Sequence, residues 1–140
     1  MKYTIEIKNN PSDELINKVK KELISHNVKK STIEQGIDIA LTVSTEDGSL
    51  VGGLIAWQWG QCVEIEYLWV NKNLRGKNIG TELLMRLEEL KTESSIKTII
   101  TNTFSFQAPE FYIKNGYQIV DTVTGYPDDT VKHFLKKTMS

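Results

Sequence analysis

The pattern of apolar residues predicts an α/β (α+β) fold: a mixed, largely antiparallel sheet of about seven strands with helices on both faces. Three observations carry that prediction. Alternating segments between Ile37 and Val70 are joined by tight glycine turns, which makes an antiparallel meander. From Ile79 the apolar period changes from two residues to three or four, which makes a helix. A β-branched run follows, so that helix is the crossover that parallel neighbours require.

In order along the chain, Tyr3, Ile5 and Ile7 alternate with Thr4, Glu6 and Lys8 and predict a first strand rather than a leader peptide. Pro11-Ser12-Asp13 opens a helix that carries Leu15, Ile16, Val19, Leu23 and Ile24 at helical spacing. A short second helix from about Ser31 is one reading of the polar stretch that follows. Ile37, Ile39, Leu41 and Val43 alternate as a strand, and Asp47-Gly48 turns the chain. Leu50–Trp59 is the next strand, turned at Gly60-Gln61. In the strand ending at Val70, Val63, Ile65, Tyr67 and Trp69 share one face and Glu64, Glu66, Leu68 and Val70 the other. Ile79, Leu83, Leu84, Leu87 and Leu90 form an amphipathic helix ending near Glu93. Thr98–Thr103 reads as a strand and Gln107–Asn115 as a short helix closed by Gly116 in the left-handed region. Tyr117–Thr124 and Val131–Thr138 are two last strands joined across Pro127-Asp128-Asp129.

A chain of 140 residues has one domain's length, residues 1–140, and buries roughly two thirds of its unfolded surface. With 17 Lys+Arg against 18 Asp+Glu the formal net charge is −1, which argues against dedicated nucleic-acid binding. Cys62 is the only cysteine, so neither an intrachain disulfide nor a cysteine zinc cage is available. It is expected as a small buried residue, and His26 and His133 as structural ones. No apolar run approaches the ~18 residues of a membrane span, and the expected location is the cytoplasm. Trp57, Trp59, Tyr67 and Trp69 are expected mostly in the core, with part of the cluster free to line a pocket.

The segment between Val70 and Ile79 is polar, basic and glycine-containing, and it joins a strand to a helix. Such a junction binds anions, because the first N–H groups of a helix lack intrahelical partners and carry the positive end of its dipole. Gly76 and Gly80 would let phosphates approach the backbone, and Arg75 and Lys77 add charge. The spacing fits neither a Walker loop nor the dinucleotide fingerprint. Read alone, the loop is equally a solvated turn before a helix.

Arg75-Gly76-Lys77-Asn78-Ile79-Gly80, preceded by Leu68-Trp69-Val70, resembles the [Gln/Arg]-x-x-Gly-x-[Gly/Ala] phosphate motif of the GNAT superfamily of acyl-CoA N-acyltransferases. Ala108-Pro109-Glu110-Phe111-Tyr112, running on to Gly116-Tyr117, resembles that family's second motif. Asn78 stands where the family has its first motif glycine; asparagine tolerates the left-handed backbone that glycine would supply. Ser105 stands where the second motif often has asparagine, with Asn102 close but off register.

The resemblance implies acetyl-CoA as co-substrate, no metal, and direct transfer of an acyl group to a primary amine of a small molecule or peptide through a tetrahedral intermediate. Glu64 or Glu66 would take the amine's proton, and paired carboxylates favour a base that works near neutral pH. Alternatively the two acids simply face solvent, or attract a cationic substrate while water carries the proton. The backbone of Leu68 would bind the thioester carbonyl. Val70 would pair with the pantetheine amides, and Tyr112 would protonate the leaving thiolate. Trp69, Ile79, Thr81, Ser105 and Phe111 would complete the cofactor side, and Phe104 and Phe106, flanking the start of the second motif, would shape the same cleft. The acceptor side would come from the first helix region, the strand of Glu64 and the last hairpin, and a homodimer is one way to complete it. A non-catalytic acyl-CoA-binding domain and an interaction domain with an accidental motif are the competing readings; neither nucleic acid nor membrane is an expected partner.

Overall fold

The structure, a computed structural model, describes residues 2–30, 36–90 and 95–139, with side chains described through Asn27 in the first of these. Residues 1–35 and 36–140 form two compact units.

In the first unit, α1 spans Asp13–Lys30. The Ser12 hydroxyl accepts the Leu15 N–H at 3.2 Å, and Asp13 and Glu14 complement the dipole in the first turn. The expected strand at Tyr3–Lys8 does not form: this segment joins no ladder among the described residues, and Tyr3, Ile5 and Ile7 are exposed. Alternation marks a segment fit for a sheet, but only a partner edge makes it a strand. The helix expected from Ser31 falls outside the described residues.

The second unit holds β1 (Ile37–Ser44), β2 (Leu50–Trp59), β3 (Cys62–Val70), α2 (Ile79–Glu88), β4 (Thr98–Phe104), α3 (Pro109–Lys114), β5 (Gln118–Val123) and β6 (Lys132–Thr138). Among the described residues its sheet has six strands rather than about seven, in the order β1-β2-β3-β4-β6-β5. Only β3 and β4 run parallel; the other neighbours are antiparallel. The parallel pair is the one bridged by α2, as a crossover helix demands. The last hairpin folds back so that β6 lies between β4 and β5.

The core is built from Leu54, Ala56, Val63, Ile65, Ile99 and Leu135 of the sheet, Leu83, Leu84 and Leu87 of α2, and Tyr112 and Tyr117 around α3. α2 stops at Glu88, short of the expected Glu93, because its last turn tightens. The Glu89 N–H reaches both Met85 and Leu87 carbonyls, and the Leu90 N–H bonds Leu87. α3 closes on Gly116, whose φ of +92° is the left-handed geometry expected there.

Candidate active site

β3 and β4 pair only at Cys62–Thr98, Val63–Ile99 and Glu64–Ile100, although the strands continue to Val70 and Phe104. Beyond those three pairs they separate. One step past the last pair, the buried Thr101 hydroxyl donates to the Ile65 carbonyl at 3.2 Å and ties the apex. The opening is a cleft of about 830 Å³, within the usual ~300–1,000 Å³ of a small-molecule site.

One inserted residue shapes the near wall. Ala56 of β2 faces Ile65, but the preceding Ile55 faces Tyr67, so Glu66 is the extra residue of a β-bulge. A one-residue slip reverses every later side chain. Val63 and Ile65 are buried, and after the bulge it is Leu68 and Val70 that pack against the core. Tyr67 and Trp69, expected with Val63 and Ile65, are instead 69% and 46% exposed. Trp59 is exposed too, its ring 6.2 Å from that of Trp57. Much of the aromatic cluster therefore lies outside the core. Glu66, Tyr67, Leu68, Trp69 and Val70 all border the cleft; Glu64, exposed and opposite Trp57, does not.

At the end of β3, Asn71 accepts the Asn73 N–H at 2.9 Å and caps a single 3-10 turn. Arg75 Nε then donates to the Val70 carbonyl at 3.3 Å, anchoring the side chain beside the cleft. Gly76 has φ +82°, and no atom lies within 4 Å of where a Cβ would sit. Asn78 takes φ 61°, ψ 21°, the left-handed geometry expected of it, and its side chain makes no capping bond. The first helical bond runs from the Glu82 N–H to the Asn78 carbonyl. The uncapped first turn of α2, at Ile79, Gly80 and Thr81, borders the cleft, whereas Lys77 does not. At Gly80 a Cβ would meet the Phe111 ring at 3.0 Å, so the glycine also makes room for that ring.

The far wall comes from β4 and the start of α3: Thr101, Asn102, Thr103, Phe104, Phe106, Gln107, Ala108, Phe111 and Tyr112. Ala108 holds φ 111°, a strained conformation for a residue with a Cβ. Ser105 does not line the cleft. Its hydroxyl accepts the Val131 N–H at 3.1 Å, and its own N–H donates to Val131, so it ties the turn to the start of β6. Tyr112 is 8% exposed, with Phe111 and Tyr117 rings set edge-on at 5.1 and 5.5 Å. Burial pushes its hydroxyl above the usual tyrosine range, and the Thr101 hydroxyl beside it opposes the shift.

Cys62 is exposed at the start of β3 rather than buried; partial desolvation and the nearby Glu64 carboxylate hold its thiol high. His133 contacts the Thr122 hydroxyl at 3.0 Å across the last hairpin. Sequence reasoning missed Thr101. Its signal was present: a threonine at the core-facing phase of a strand, between Ile99 and Thr103, needs a polar partner inside.

The site is thus a parallel strand pair that parts beside a basic glycine loop. The chain belongs to the GNAT family: a model described as "Acetyltransferase (GNAT) domain" matches residues 38–119. It is similar to the blasticidin-S acetyltransferase of Streptomyces morookaense, with 34% identity over 98 residues, 67% of this chain and 70% of that one. Among solved structures, an acetyltransferase from Bacillus cereus ATCC 14579 superposes with TM-score 0.77 at 28% identity, over 96% of this chain and 98% of that one. An aminoglycoside 6′-N-acetyltransferase complexed with coenzyme A superposes with TM-score 0.63 at 25% identity, over 72% of each chain. Family and relatives together make this chain an acyltransferase by kinship.

Proposed function

We propose that this protein transfers an acetyl group from acetyl-CoA to a primary amine of a small molecule or peptide by direct attack. The observation that carries the reading is the bordering of one cleft by Glu66, by Tyr112 and by the uncapped start of α2. The cleft fits the co-substrate: Gly76 leaves open space beside the loop, the first turn of α2 offers unpaired N–H groups, and Arg75 is anchored alongside. When bound, acetyl-CoA supplies an activated thioester. Arg75, Gly76, Asn78, Ile79, Gly80 and Thr81 hold its phosphates, and Lys77 adds positive charge from outside the cleft. Val70 lends its backbone to the pantetheine arm between the parted strands, with Trp69 and Phe111 as walls.

An ammonium of pKa near ~10 must lose a proton before it attacks. Glu66 is the base in this scheme, since the bulge sets it at the cleft and Glu64 stands outside. The Leu68 N–H stabilises the developing oxyanion. Tyr112, protonated throughout the neutral range, donates to the leaving thiolate. Blasticidin S and an aminoglycoside, named for two relatives, suggest the first acceptors to try.

Release of free thiol from acetyl-CoA tests the proposal across a panel of blasticidin S, an aminoglycoside, spermidine, lysine and a peptide N-terminus. The expected result is amine-dependent release with at least one acceptor, lost in Glu66→Gln. Tight acetyl-CoA binding with no release for any amine would favour the non-catalytic binding domain.

A further inference from the structure

Phe106 sits in the turn between β4 and α3 and is 74% exposed at the border of the cleft. Water disfavours such a ring, and an isolated one would turn freely. This one is held. The Gln107 N–H donates to the Phe104 carbonyl at 2.9 Å, and the Phe104 N–H donates back to Gln107 Oε1 at 2.9 Å. Ser105, between them, is bonded in both directions to Val131. The Phe106 ring lies on that of Phe104, 5.6 Å between centroids and 5° from coplanar. Tyr126 braces Phe104 edge-on at 5.0 Å, and Lys132 Nζ stands 5.6 Å from the Phe104 centroid. The stacked pair, braced edge-on by Tyr126, therefore presents the exposed Phe106 ring in an arrangement set in advance of any ligand.

We propose that Phe106 is a stacking platform for a planar heteroaromatic ring carried by a ligand of the cleft. An apolar π-face without a charged donor suits such a ring whatever its substituents. Exposed Tyr67 and Trp69 border the same cleft and extend its aromatic lining. The ring has two sources under the acyltransferase reading, on which this inference rests: the adenine of the acyl-CoA, or a ring attached to the accepted amine.

Calorimetry with acetyl-CoA and with S-acetylpantetheine, which lacks adenine, is compared for wild type, Phe106→Ala and Phe106→Trp. For each protein, kcat/KM is measured with a ring-bearing and a ring-free amine that the wild type acetylates. Loss of acetyl-CoA affinity by about fivefold to a hundredfold, the span of single-base stacking, assigns the platform to adenine if S-acetylpantetheine binding is untouched. A comparable loss confined to the ring-bearing amine assigns it to the acceptor. Phe106→Trp restores either. Phe106→Ala values within twofold of wild type for all four probes overturn the platform. A wild type that binds neither thioester overturns the acyltransferase reading itself, and the platform with it.

Discussion

In the proposed reaction Tyr112 hydrogen-bonds and protonates the departing thiolate, and burial keeps its hydroxyl protonated until then. Its raised pKa keeps it protonated at neutral pH, so it adds no alkaline loss of kcat until the pH exceeds about 10. Tyr112→Phe is expected to lower kcat tenfold or more, ~1.4 kcal/mol of barrier. Acetyl-CoA affinity by calorimetry should stay within about twofold; an unchanged kcat would remove Tyr112 from the chemistry. Glu66→Gln should cost far more activity than Glu64→Gln, because only Glu66 reaches the cleft. The place of Tyr112 at the cleft was legible in sequence, as it sits in a recognisable motif. Which of the two glutamates borders the cleft was not, because it depends on a bulge that no local pattern marks. Gly80 was legible as special, but its contact with the Phe111 ring was not, because that packing is tertiary. Gly80→Ala should drive a methyl into Phe111 and cost roughly 1–3 kcal/mol of stability, read by denaturant unfolding.

At the scale of elements, α2 and β6 are joined by one ion pair. Lys137 Nζ of β6 meets Glu88 Oε1 at the end of α2 at 2.5 Å, with side chains only 26% and 16% exposed. The same ammonium lies 5.8 Å from the Tyr117 ring, and a Cβ on Gly116 would crowd its chain at 3.1 Å. Lys137→Met leaves Glu88 half-buried without its partner and should cost on the order of 1–3 kcal/mol, more than an exposed pair would. A melting temperature unchanged from wild type would show that the pair contributes nothing. The meander, the crossover helix and the last hairpin were all legible from period and turn residues. The insertion of β6 between β4 and β5 was not, since strand order is set by packing rather than by local pattern. Tyr3–Lys8 shows the opposite failure: alternation that pairs with no strand among the described residues.

For the molecule as a whole, a net charge of −1 conceals a division along one strand and its loop. Lys72, Arg75 and Lys77 gather after β3, while Glu64 and Glu66 lie on it. An anionic co-substrate and a cationic acceptor would meet across that boundary. The core is also sensitive to alkali. Tyr112 and Tyr117 are both raised by burial, Tyr117 further by Glu88 and then Tyr112. A group raised on folding stabilises fully below its unfolded pKa and loses that contribution above it. Stability should therefore hold up to about pH 10 and fall beyond, as thermal unfolding across pH 8–11.5 would record.

The central claim is that the parting of β3 from β4 is where acetyl-CoA reacts. A crystal structure with coenzyme A tests it directly. The expected result is the pantetheine arm between the strands, phosphates at Gly76–Gly80, and the sulfur within hydrogen-bond reach of the Tyr112 hydroxyl. Coenzyme A bound elsewhere, or a sulfur remote from Tyr112 and Glu66, would contradict it.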